Sequence, residues 1–370
     1  MITPNWAFSD IPFISGQELS RQFYTDGVAP LLAQHFPGLP HTAALIGYGS
    51  DVLGYDTPMS RDHMWGPRLV LLLPEVDFIH LKPAVDTMLR QQLPLTICGY
   101  PTHFEPADAD GVRVMQYVSQ GPVDHLVVLQ TLPGFMQTEL DLTPGESLTE
   151  PRWLTFPEQK LLAVTAGAVY HDDLGLAQIR QTLIYYPDEV WRYQLACQWM
   201  RISQEEAFVG RTGDLGDDLG SRLITARLVQ DLMRLAFLQA RRYAPYAKWF
   251  GTAFSHLPLA QDLLPNLQAA LAAADWPARE TALCGAARLL AEQLNTLGLT
   301  LPLATNSTRF HGRPFTIPDA GRFATALRAT LQSPTLRSLP LFGGVDQFCN
   351  NTDVLETPSA CTYLGGLHIS

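Results

Sequence analysis

Two stretches hold the residue types from which a phosphate- and cation-handling site is built: the turn Gly49-Ser50, and Ser60-Arg61-Asp62-His63-Met64-Trp65-Gly66-Pro67-Arg68. Leu45-Ile46-Gly47-Tyr48 reads as a short apolar strand and Leu69 to Leu73 as a second, buried one. Asp62 is therefore expected at the mouth of a sheet. A Gly-Ser turn lets backbone N–H groups approach phosphate oxygens. Carboxylates at i and i+2 of a strand share a face and can hold two hard cations against a triphosphate. Asp62 supplies the first, but the i+2 position is Met64, whose thioether is a soft ligand that Mg²⁺ does not favour.

Each of these residues also has a plainer reading. Gly49-Ser50 serves equally as an ordinary strand-to-loop turn, and Asp62 as a turn cap or an ion-pair partner of Arg61 or Arg68. Arg68, just before a buried run, is either an ion-pair anchor or a phosphate clamp. Asp51 and Asp56 in the connecting loop are turn formers that would double as replacement oxygens. His63 is expected to be packed and internally hydrogen-bonded. In the second half, Lys248 between Pro245-Tyr246 and Trp249 resembles a lysine held over a cleft by aromatics, with Asp218 a second cleft candidate. Tyr185, Tyr186, Trp191, Tyr193 and Trp199 are expected as core between helices.

The elements that must position these groups fall into three stretches. Residues 1–155 mix helix and strand signals, including Leu95 to Cys98, Val112 to Val118 and Leu126 to Leu129, and predict an α+β domain with a small mixed sheet. Residues 156–300 carry long helical patterns and predict an all-α bundle, with Asp188 as the N-cap of one helix. Residues 301–370, rich in Pro, Gly, Thr and Asn with one helix over 319–332, predict an extended C-terminal arm packed on the bundle.

The chain's 370 residues, 46% hydrophobic and 16% charged, describe a packed globular protein rather than a disordered one. A net charge of −11 without a dense Lys/Arg cluster argues against nucleic acid or anionic lipid as partner. Five scattered cysteines, Cys98, Cys197, Cys284, Cys349 and Cys361, disfavour disulfide or cysteine-zinc frameworks and point to a reducing cytoplasm. Met1 to Trp6 lacks a leader pattern, and no run is long enough to span a membrane.

Several motifs together resemble a known bacterial family, the domain-of-unknown-function 4037 family, a branch of the DNA-polymerase-beta-type nucleotidyltransferases with a helical C-terminal domain. They are Met59-Ser60-Arg61-Asp62-His63 with Trp65-Gly66-Pro67-Arg68, Thr165-Ala166-Gly167-Ala168-Val169-Tyr170 with Asp172, Tyr185-Tyr186-Pro187 with Val190-Trp191-Arg192-Tyr193, Asp217-Asp218-Leu219-Gly220-Ser221-Arg222, and Tyr243 to Trp249. The resemblance implies NTP-dependent transfer of a nucleotidyl group to a small molecule or a protein hydroxyl. Gly49-Ser50 would bind phosphates, Asp62 would hold Mg²⁺, and Arg68 or Lys248 would steady the leaving pyrophosphate. The family pattern places aspartate where Met64 stands and a further acid near Val128, so the resemblance equally fits a nucleotide- or metabolite-binding protein with a degenerate metal site. It also fits a biosynthetic enzyme of different chemistry in the same cleft.

Overall fold

The computed structural model describes Phe8 and residues 11–369, with side chains through 366; the N-terminal stretch Met1 to Trp6 lies outside the described residues. The protein is α+β and divides into two compact units, between which the chain passes three times. The first comprises Met1–Glu146 and Lys160–Ile184, the second Ser147–Gln159 and Tyr185–Ser370. This corrects the expected division at 155, because a strand beyond that point returns to the sheet of the first unit.

That sheet has four strands: β1 (Thr42–Leu45), β2 (Arg68–Leu72), β5 (Leu126–Gln130) and β6 (Ala168–Asp172). Between β2 and β5 lies a small hairpin of β3 (Thr96–Ile97) and β4 (Tyr100–Pro101). The spatial order is β5-β2-β1-β6, with β1 antiparallel to β2 and β6, and β2 parallel to β5. The central strands are continuous apolar runs because both faces are covered: Ala43, Ala44 and Leu45 of β1 and Leu69 to Leu72 of β2 are all buried. Leu69, Leu71, Val127 and Leu129 join one core with Leu19, Phe23, Leu89 and Phe104. The register sets the end of β1 beside the starts of β2, β5 and β6, so the loops at those four points meet at one end of the sheet.

Three strand expectations change. The strand expected over Leu45 to Tyr48 ends at Leu45, since Gly47 and Gly49 adopt φ of 92° and 131°. Val112 to Val118 forms no strand and contributes one isolated bridge, Phe104 to Met115. Ala168–Asp172, within a stretch whose texture reads as helical, is an edge strand; short apolar runs do not distinguish the two states by periodicity.

The second unit is helical. The long helices Asp188–Glu205, Asp218–Gln239 and Trp276–Leu297 carry its core. Tyr186, Trp191, Tyr193 and Trp199 are buried, as their spacing predicts. Pro187 rather than Asp188 occupies the N-cap; Asp188 is the first helical residue and pairs with Arg241. Residues 301–370 are not an extended arm. They add the helices Gly321–Thr330, Pro334–Ser338, Val345–Phe348, Thr352–Glu356 and Pro358–Ile369 to the same unit. Gly321–Thr330 packs on Asp188–Glu205, with the Phe323 and Trp199 rings 4.5 Å apart.

One buried acid pair holds this unit's two ends together. Glu158 accepts from the Ala244 amide at 2.9 Å, and its own amide donates to Asp346 at 2.8 Å. Burial, then the neighbouring Asp346, pushes the Glu158 carboxyl well above the carboxylate range, and Arg234 at 3.9 Å only partly opposes this. Burial raises Asp346 as well. A raised acid binds its proton more tightly when folded, so its stabilisation is complete below the ordinary carboxylate pKa and is lost as pH climbs through the raised value. Thermal melts should therefore show stability falling between about pH 5 and 8 and levelling above, by up to about 1.4 kcal/mol per pH unit for each proton released. Glu158→Gln, which keeps the shape without the titration, should flatten that slope; a variant with an unchanged slope would remove this pair as its cause.

Candidate functional site

The turn after β1 is built around a buried ion pair. Asp51 is 2% exposed, and Arg68 donates to it through two nitrogens, Nε to Oδ2 at 2.8 Å and Nη2 to Oδ1 at 2.7 Å. Arg68 Nη2 also donates to the Tyr48 carbonyl at 2.8 Å, and Asp51 Oδ1 accepts from the Val52 amide at 3.0 Å. Burial alone would lower the Arg68 pKa, but Asp51 outweighs it and the guanidinium is held above its usual value. The geometry is the bidentate fork that arginine forms with carboxylates. Gly49 closes over the pair: a Cβ at this position would collide with Asp51 Oδ1 and Arg68 Nη2, and its φ of 131° is itself a glycine conformation.

The turn leaves donors open. Within the described residues neither the Ser50 hydroxyl nor the amides of Gly49 and Ser50 make a hydrogen bond. The Tyr48 ring beside them is 60% exposed, with the Arg68 guanidinium carbon 5.8 Å from its centroid.

The segment carrying Asp62 is not a strand. Pro58–Asp62 is a 3₁₀ turn, His63 is extended, and Met64 has φ of 51°, so positions 62 and 64 do not share a strand face. Asp62 is partly exposed and faces His63 Nδ1 at 3.1 Å; His63 itself is exposed rather than packed. Met64 packs against the core of the unit, and its amide donates to the Arg113 carbonyl at 3.1 Å. Asp56 is spent on structure, accepting from the Gly16 amide at 2.7 Å and from Trp65 Nε1 at 2.9 Å. Arg61 donates to the Phe8 and Ile11 carbonyls at 2.5 and 3.2 Å. The structure thus brings Tyr48, Gly49, Asp51 and Arg68 together and ties Asp62 to its neighbour.

A two-cation centre needs several free hard oxygens converging on one point. Here Asp51 and Asp56 are committed, and the sheet face opposite the core presents Val70 and Val128, the latter 51% exposed. Asp62 is the remaining partly exposed carboxylate among these, so the residues present do not fit a two-metal site. Lys248 and Asp218 belong to the second unit. Lys248 is exposed, its Nζ 5.1 Å from the Trp249 ring, and Asp218 pairs with Arg222 and Arg279. Sequence reasoning missed the pairing of Asp51 with Arg68. The available signal was an acid two residues past a glycine turn and a lone arginine at the start of the facing strand.

Removing one partner of a buried pair leaves the other charge uncompensated, at a cost of about 3–5 kcal/mol. Asp51→Ala should destabilise the first unit by that amount in denaturant unfolding, and Gly49→Ala should also be destabilising. A loss under about 1 kcal/mol for Asp51→Ala would mean that water already screens the pair.

Comparison with known proteins adds two findings. The crystal structure of a nucleotidyltransferase-like protein from Exiguobacterium sibiricum 255-15 aligns over 85% of this chain and 89% of that one, at 11% identity and a TM-score of 0.30. No curated protein matches. Residues 153–250 match the family model described as a domain of unknown function (DUF4037). That stretch holds the Tyr185-Tyr186-Pro187, Asp217 to Arg222 and Tyr243 to Trp249 motifs.

Proposed function

We propose that the first unit is nucleotidyltransferase-like and binds a nucleoside triphosphate or a related phosphorylated metabolite at the Gly49-Ser50 turn, without a two-metal centre. The observation that carries this reading is the set of unspent donors, the Ser50 hydroxyl and the Gly49 and Ser50 amides, above a rigid floor. Consecutive free amides in a glycine turn form an anion-binding concavity. Tyr48 offers an exposed ring face on which a base would stack. Because Asp51 neutralises Arg68, the backbone donors rather than the guanidinium carry the phosphate charge. A cytoplasmic setting suits the five free thiols; among the described residues no helix is long and apolar enough to cross a membrane.

Catalytic transfer to a small-molecule or protein hydroxyl is the second reading. It is favoured by the partly exposed Asp62 carboxylate, which would hold a weakly bound Mg²⁺. The acceptor would be the second partner.

Calorimetric titration with ATP and GTP, with Mg²⁺ or with EDTA, separates the two. Binding should change by less than about threefold when Mg²⁺ is removed, and Ser50→Ala should weaken it by about tenfold, the loss of one charge-assisted hydrogen bond. A tenfold or larger dependence on Mg²⁺ that disappears in Asp62→Asn would establish the metal-dependent reading instead. Absence of binding to either nucleotide and to inorganic triphosphate would remove both.

Met64→Asp checks how far the metal site has drifted. The left-handed backbone there accepts aspartate more readily than methionine. Since the 62 and 64 side chains do not share a strand face, Mn²⁺ affinity should rise by less than about tenfold, the gain a true same-face pair would give.

A further inference from the structure

At the other end of β1, away from the Gly-Ser turn, three metal-ligating side chains converge. We infer that His41, His171 and Asp173 form a binding site for a single divalent transition-metal ion of the zinc class. The antiparallel register produces the cluster. Thr42 pairs with Asp172 and Ala43 with His171, which sets His41 opposite Asp173; the Asp173 amide donates to the His41 carbonyl at 3.0 Å. His171 and Asp173, two apart at the end of β6, share one face. One ligand atom from each of the three residues lies within 4.8 Å of the other two.

The chemistry of the set is specific. His41 Nδ1 lies 3.0 Å from the Leu39 carbonyl, which can only accept, so the proton sits on Nδ1 and the Nε2 lone pair is available. That carbonyl contact is how ligating histidines are oriented. His41 Nε2 now accepts from the Tyr24 hydroxyl at 2.9 Å, a contact that an ion would replace, leaving the phenol oxygen beside the site. His171 Nε2 donates to Asp173 Oδ2 at 2.7 Å, and the two imidazole rings stack at 4.3 Å. An incoming ion would displace the proton between His171 and Asp173 and release it to solvent, as metal binding to such ligands requires.

The backbone under the ligands is fixed. Asp172 caps the following helix Leu176–Thr182 by accepting from the Gly175, Leu176 and Ala177 amides at 3.0, 3.0 and 2.8 Å, and from Thr42 Oγ1 at 2.7 Å. Only the side chains need to close, by roughly an ångström, to reach zinc–ligand distances of about 2.0–2.2 Å. The His171 and Asp173 side chains, 36% and 45% exposed, are free to do so. Two imidazoles with a carboxylate select zinc, cobalt or nickel over magnesium. Three protein ligands leave a coordination position open.

The test uses the full-length protein and Co²⁺ as a spectroscopic probe, with Zn²⁺ as competitor. One equivalent of Co²⁺ should bind with the visible absorption of a four- or five-coordinate ion, and one equivalent of Zn²⁺ should displace it. His171→Ala and Asp173→Asn should each weaken binding by about tenfold or more. His63→Ala, at the Asp62-His63 pair, and Cys98→Ser, at the exposed thiol, should leave it unchanged. Two variants guard against loss of fold in one, and circular dichroism checks both. Failure of Co²⁺ and Zn²⁺ to bind at stoichiometric ratio, binding that survives both His171→Ala and Asp173→Asn, or binding abolished by His63→Ala, would overturn the inference.

Discussion

The buried bidentate pair between Asp51 and Arg68 is the constraint on which the first unit's functional end depends. It joins the loop leaving β1 to the first residue of β2, and so fixes the spacing of two strands where their side chains stop packing against each other. Because both charges are satisfied internally, the pair gives rigidity at the expense of reactivity. Arg68 cannot swing towards a ligand without exposing Asp51, and Asp51 cannot serve a cation without releasing Arg68. What the turn offers a ligand is therefore backbone geometry, which stays in place whatever side chains do.

Much of this architecture was legible in the sequence where the signal is local. Leu69 to Leu73 and Leu126 to Leu129 are apolar runs too short for helices, and both are strands. The long periodic stretches of the second half are helices, one of them with its cap a single residue earlier than expected, at Pro187 instead of Asp188. The substitution of Met64 for an acid was visible too, but its setting was not. Reading Asp62 and Met64 as neighbours on one strand face assumed extended backbone, and a 3₁₀ turn followed by a left-handed residue breaks that period. The missing information was the backbone between the motifs rather than the motifs themselves.

Long-range pairing is the part no local reading could reach. His41 stands 130 residues from His171, and both are ordinary until β1 and β6 align. Asp51 and Arg68 are closer in sequence, yet each had an equally good solitary explanation. In both cases the chemistry arises from strand register, which is set by which faces are buried. The four-residue strand β1 thus has unlike chemistry at its two ends: open backbone donors at Gly49 and Ser50 beyond one, and the imidazoles and carboxylate of His41, His171 and Asp173 at the other.

The discontinuity of the first unit bears on how the chain is made. Its fourth strand emerges only after Ser147–Gln159, a segment that belongs to the second unit. Until then β1 has β2 on one side and a bare row of amides and carbonyls on the other. Such an edge is a template for pairing with another chain. During synthesis the nascent protein passes through a stage in which all the determinants of the Gly49 turn exist while the sheet is still open. Its solubility at that stage rests on how quickly some two dozen further residues leave the ribosome, at about 5–20 residues per second.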